Sequence, residues 1–162
     1  MSRVFAGALL LLAAMHTTAA ELRGVVVGID EGDVLTVRDS DNKQHRIRLA
    51  GIDAPDKQQT FFKKSRQNLS DLALKKQATL DCYRTDGLKR KVCRVSVHGR
   101  DIALAQVQAG LAWHYKQLHP EQTASERAAY AKAEADARAS RIGLWQHERP
   151  VAPWDFRRHG VK

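Results

Sequence analysis

Residues 22–52 read LRGVVVGIDEGDVLTVRDSDNKQHRIRLAGI. β-Branched residues crowd this stretch, and two turn signals, Asp30-Glu31-Gly32 and Asp39-Ser40-Asp41-Asn42, divide it in three. Three consecutive strands joined by tight turns are expected. In the third, Arg46 and Arg48 share one face while Ile47 and Leu49 share the other, the alternation of a half-buried strand. That strand is expected to turn a basic face to solvent.

Downstream, Pro55 ends the sheet segment, and Phe62, Leu69, Leu72 and Ala73 recur at helical spacing through about Lys76. Residues 78–84 and 91–97 are again β-rich and are hinged at Thr85-Asp86-Gly87-Leu88-Lys89, which predicts a hairpin. Asp101 is placed to cap a short helix that Gly110 stops. Thr123 and Glu126 have capping-box spacing ahead of an alanine-rich helix. Its expected inner stripe is Ala124, Ala128, Ala131, Ala135 and Ile142, with Arg138 and Arg141 near the carbonyl end and Gly143 as terminator. From His147 the chain holds Pro150, Pro153 and Trp154 and reads as an extended tail over 147–162. The fold class expected is α+β, a five-stranded OB-fold β-barrel with three helices in residues 21–146, a fold whose exposed face commonly binds oligonucleotides. Fold alone does not give function.

Upstream, Arg3, an apolar run from Val4 to Met15 and a close of small and polar residues over 16–20 have the layout of a cleavable secretory signal. The run is well short of the ~20 residues a spanning helix needs, so no membrane anchor is expected after cleavage at Ala20/Glu21. Of the net charge of +9, the leader contributes only Arg3, leaving +8 on the remaining 142 residues, enough for one domain. A basic chain favours a polyanionic partner. Export implies a periplasmic or secreted protein, and a monomer is expected.

The two cysteines, Cys82 and Cys93, are too few and wrongly spaced for zinc, and no H-E-x-x-H pair is present. They lie equally far from the centre of the hairpin turn, between Gly87 and Leu88, so they are expected to face each other across the two strands. Facing Cβ atoms lie about 4.5–5.5 Å apart, within easy reach of a disulfide in an oxidising compartment. Two buried thiols are the alternative.

Hydrolysing a phosphodiester needs cations to offset developing charge, a base to activate water, and donors for the phosphoryl oxygens. Three segments supply those types: Asp30-Glu31-Gly32-Asp33, Arg48-Leu49-Ala50-Gly51-Ile52-Asp53-Ala54-Pro55-Asp56, and Asp86-Gly87-Leu88-Lys89-Arg90. Carboxylates at strand ends suit a hard cation, and arginine forks suit phosphate. Taken singly, each residue reads as an ordinary turn or surface residue.

In order and spacing these segments resemble the staphylococcal nuclease family, whose pattern is acidic-Gly-Asp-Thr, then Arg-Leu-x-x-(Ile/Val)-Asp-x-Pro-Glu, then Asp-x-x-Gly-Arg. Gly110-Leu111-Ala112-Trp113-His114-Tyr115 and Gly143-Leu144-Trp145 resemble exported bacterial members, and the likeness covers nearly all of residues 22–146. It implies a Ca2+-dependent nuclease acting on DNA and/or RNA and leaving 3′-phosphates. By the same resemblance Asp33, Asp53 and the Ala54 carbonyl hold the calcium, Arg48 and Arg90 bind the scissile phosphate, and Asp56 positions or deprotonates the attacking water.

The sequence departs from the pattern in three places. Asp56 stands where the family has glutamate, and a displacement of ~1 Å in such a group costs on the order of 100-fold in rate unless the loop compensates. Val34 replaces a threonine hydroxyl, and Lys89 replaces a glycine beside Arg90. The principal rival function is a non-catalytic nucleic-acid-binding OB module; an interaction protein using its basic face on anionic surfaces needs no carboxylate cluster at all. Trp113 and Tyr115 alternate along an extended stretch, so either one stacks on a base or both wedge barrel against helix. Trp145 and Trp154 read as packing residues, and His114 and His119 fall in no recognisable catalytic pair.

Overall fold

The computed structural model describes residues 21–159; the leader at 1–20 and the side chain of His119 lie outside the described residues. In chain order the strands are β1 (Leu22–Glu31), β2 (Val34–Arg38), β3 (Gln44–Leu49), β4 (Ile52–Asp53), β5 (Gln77–Thr85), β6 (Lys91–Val97), β7 (Arg100–Asp101) and β8 (Trp113–His114). The helices are α1 (Phe62–Ala73), α2 (Ile102–Gln108), α3 (Ala124–Ala139) and α4 (Pro153–His159), with 3-10 turns at Lys116–Glu121 and Gly143–Gln146.

β1 is long enough to serve two partners. Its first residues pair with β5 and its remainder with β2, and register shifts between Val26 and Gly28 and between Ile29 and Glu31 bend it from one to the other. β2 pairs with β3, β5 with β6, and β3 closes on β6 in parallel, Leu49 opposite Cys93. Five strands thus form a closed barrel without a free edge, with α1 between the third and fourth, as an OB-fold requires.

The inward residues Val26, Leu35, Val37, Ile47, Leu49, Leu80 and Val95 fill the barrel, and Leu69 and Ala73 of α1 plug one end. Asp101 caps α2, its Oδ1 accepting from the amides of Ala103 (2.9 Å) and Leu104 (3.0 Å), while its Oδ2 accepts from Tyr130 Oη at 2.8 Å. The Thr123–Glu126 capping box is complete in both directions.

Three expectations require correction. The buried face of α3 is Tyr130, Ala133, Glu134 and Ala137; Ala124, Ala128, Ala131, Ala135 and Ile142 are exposed. Alanine fills both faces, so the single large aromatic, not the alanine pattern, selects the side that packs. The helix also stops at Ala139, before Gly143. Finally, the tail is not extended throughout: Pro153–His159 is a fourth helix. Proline at its first position loses no hydrogen bond, and Asp155 early with Arg157 and Arg158 late complements the helix dipole.

Cys82 and Cys93 are paired across β5 and β6 and form a disulfide with Cα atoms 4.0 Å apart. Equal spacing from the turn is not the whole reason. The turn over residues 86–90 centres on Leu88, and a bulge between Cys82 and Arg84 absorbs the extra residue that brings the cysteines opposite. Closing so short a loop stabilises the fold by roughly 2–3 kcal/mol at most. Melting the purified protein with and without reductant is expected to show a lower midpoint after reduction. Two alkylatable thiols on unfolding without reductant would exclude the bond.

Candidate active site

The site is built on the turn between β1 and β2. Gln106, fully buried on α2, donates through Nε2 to the Gly32 carbonyl (2.6 Å) and to the Ser65 carbonyl (3.0 Å), while Asn68 donates to its Oε1. A Cβ on Gly32 would lie 1.8 Å from Ser65 Oγ, so only glycine allows α1 to approach this closely. The turn is thereby tied to two helices. Asp33 leaves it with its carbonyl accepting from Leu49 N (2.8 Å), beside the pairing of Val34 with Arg48.

Arg48 is not solvent-directed as the alternation of β3 suggests; its side chain is 10% exposed. Its Nη1 donates to Asp33 Oδ2 at 2.7 Å and to the Ile52 carbonyl at 3.0 Å, and its Nη2 lies 3.5 Å from Asp53 Oδ1. Asp33 and Asp53 are themselves 5% and 4% exposed, and the Ala54 amide lies 3.4 Å from Asp33 Oδ2. Burial pushes both carboxyls above the usual carboxylate range; Arg48 pulls each back, and proximity to Asp53 raises Asp33 further. Glu31 is raised by burial and then by Asp33. Such a pocket of carboxylates favours added positive charge.

Arg90 reaches the same region from the hairpin turn. Its Nε donates to Asp86 Oδ2 at 2.7 Å, and Asp86 Oδ1 accepts from the amides of Leu88 and Arg90, both at 2.9 Å. Burial acts to raise the Asp86 carboxyl, but its hydrogen bonds with Arg90 prevail and hold it below the usual range. Arg90 is also among the charges that act on Glu31 and Asp33. Lys89, in place of the family's glycine, has φ 59°, a left-handed conformation that glycine takes with less strain. Val34 is fully buried and brings no hydroxyl to the turn.

Asp56 joins the cluster through a residue that sequence reasoning missed. Arg157 of α4 donates from Nη2 to Asp53 Oδ2 (2.6 Å) and from Nη1 to Asp56 Oδ2 (3.1 Å). Gln59 braces the same loop, its Oε1 accepting from Asp56 N (2.9 Å) and its Nε2 donating to the Val151 carbonyl (2.9 Å). The signal that could have found Arg157 was the helix-start pattern at Pro153 and Asp155. Glu31, in the same turn as Asp33, is a further carboxylate of the site that sequence reasoning missed. Among the described residues no three His, Cys, Asp or Glu side chains converge as a ready metal cage.

Both aromatics of the extended stretch pack against Trp154. Trp113 is buried, with ring centroids 4.4 Å from Trp145 and 5.6 Å from Trp154, and is a packing wedge. Tyr115 lies 5.1 Å from Trp154 at 31° and donates its hydroxyl to Gln117. His114 is buried, with Nε2 3.1 Å from Gln122 Oε1 and its amide donating to Glu134 Oε1 at 3.1 Å.

With this geometry, the relatives are informative. Residues 46–147 match the staphylococcal nuclease homologue family. The chain is 39% identical to an uncharacterized endonuclease of Haemophilus influenzae, over 82% of this chain and 71% of that protein. It is 35% identical to protein ParB of Escherichia coli, over 94% and 89% of the two chains. With staphylococcal-like nuclease CAN1 of Arabidopsis thaliana it shares 32% identity over 72% of its own length and 34% of the larger protein. A matching family profile over most of the chain, these relatives and a closed OB barrel lead to one assignment: the chain belongs to the staphylococcal nuclease family.

Proposed function

We propose that this protein is an exported, calcium-dependent nuclease that hydrolyses phosphodiester bonds of DNA and/or RNA and leaves 3′-phosphates. The observation that carries the reading is the buried guanidinium of Arg48 fixed between Asp33 and Asp53, since both residue types stand in the family's order at one barrel mouth. Export is supported by the leader pattern at 1–20 and the Cys82–Cys93 bond. Among the described residues no helix is long and apolar enough to cross a membrane.

The donors here fit a hard divalent cation. They are oxygens, burial raises both carboxyls with Asp53 raising Asp33 and Asp56 raising Asp53 further, and a cationic side chain, Arg157, already lies on Asp53. Asp33, Asp53 and the Ala54 carbonyl are the residues assigned to hold it. When bound, calcium supplies positive charge to the phosphoryl oxygens and helps orient the attacking water.

The chain's own groups account for the rest. Asp33 and the Ile52 carbonyl fix the Arg48 fork before substrate arrives, so little ordering is left to the reaction. Asp86 does the same for Arg90. The two forks then bind the phosphoryl oxygens and meet the charge that grows in the transition state. Asp56, partly open to solvent, accepts the proton of the attacking water. The water oxygen bonds to phosphorus, the bond to the 5′-oxygen breaks, and that oxygen takes a proton from solvent.

Three outcomes are expected. Plasmid DNA is cut with calcium and left intact in excess chelator; undiminished cutting after rigorous chelation removes the metal assignment. Replacing Arg48 or Arg90 by lysine lowers turnover by orders of magnitude while DNA binding, spread over many basic residues, persists. Wild-type rates in either variant contradict the roles given. Asp56→Asn abolishes cleavage, and full activity there assigns the base elsewhere. A non-catalytic OB module, by contrast, binds DNA and cuts it under none of these conditions.

A further inference from the structure

The barrel's acidic mouth is shared with a segment beyond the residues that match the family, 46–147. The segment is anchored at its start: Ala152 and Pro153 are buried, Trp154 packs on Trp113 and Tyr115, and Gln59 holds the Val151 carbonyl. Its far end is held differently. Helix α4 has seven residues, too few to be stable alone, and Arg157 on its last turn is tied to the barrel by carboxylates.

Given the cation site read above, we propose that Arg157 is a positioning residue of that site: it covers Asp53 and Asp56 and must withdraw for a divalent cation to bind, so cation loading and docking of the C-terminal helix oppose each other. Arg157 Nη2 lies 2.6 Å from Asp53 Oδ2, and Nη1 lies 3.4 Å from Asp53 Oδ1. One guanidinium therefore spans both oxygens of a carboxylate assigned to calcium. A cation at the usual 2.3–2.6 Å from those oxygens meets a like charge at close range. Withdrawal is feasible because 47% of the Arg157 side chain already faces solvent, whereas Arg48 is enclosed. The neighbouring Arg158 pairs, among the described residues, with Asp155 of its own helix at 3.6 Å and not with the cluster.

The test is a calorimetric titration of the intact protein with calcium chloride, for wild type, Arg157→Gln, Arg157→Lys and Arg158→Gln. Arg157→Gln is expected to bind calcium about tenfold more tightly. Arg157→Lys, which keeps the charge, and Arg158→Gln, which leaves the cluster alone, are expected to stay near wild type. Unchanged or weaker binding in Arg157→Gln, with calcium bound by wild type, overturns the proposal while leaving the calcium reading intact. If no form binds calcium, the calcium reading falls and the proposal with it. Hydrogen exchange on wild type needs no variant: calcium is expected to lower amide protection over residues 153–159, and unchanged or increased protection there contradicts the opposition.

Discussion

One buried guanidinium organises the mouth of this barrel. Arg48 sits on the penultimate residue of β3, paired through its backbone with Val34 on one side and Val92 on the other. Asp33 immediately precedes Val34, so the register that seats Ile47 and Leu49 in the core also brings Asp33 against Arg48. A slip of one residue would turn the arginine inward and the core residues out. The ion cluster is expensive to desolvate, and removing one partner strands another at a cost of about 3–5 kcal/mol. The charges are better explained by chemistry at the site than by stability.

The remaining charges are distributed around that centre. Gln106, Ser65 and Gly32 hold the turn from which Asp33 projects; Asp86 holds Arg90; Gln59 and Arg157 bind the Asp56 loop to the C-terminal segment. Arg48 and Arg90 are thus pre-oriented by carboxylates within the barrel, while Arg157 arrives from outside it. The barrel and a cation-bearing C-terminal segment meet at Asp53 and Asp56.

The barrel was legible because its signals are local. Strand alternation, the turn residues at 30–32 and 39–42, Asp101 and the Thr123–Glu126 box each act within a few residues. The burial of Arg48 was not, since alternation states which face a side chain takes and not what covers it. Its cover comes from Asp33, Asp53 and the Ile52 carbonyl. The inner face of α3 was hidden by alanine on every side until Tyr130 found Asp101. The tail holding Pro150 and Pro153 read as extended, although Pro153 starts a helix. Cys82 and Cys93 were matched correctly, yet spacing alone does not put them opposite without the bulge between Cys82 and Arg84.

The proposed reaction breaks the bond between phosphorus and the 5′-oxygen. End-group analysis of a defined oligonucleotide after incubation with the purified protein and calcium tests it most directly. New ends carrying 3′-phosphate and 5′-hydroxyl are the predicted result; fragments bearing 5′-phosphate, or an oligonucleotide that stays intact, would contradict it.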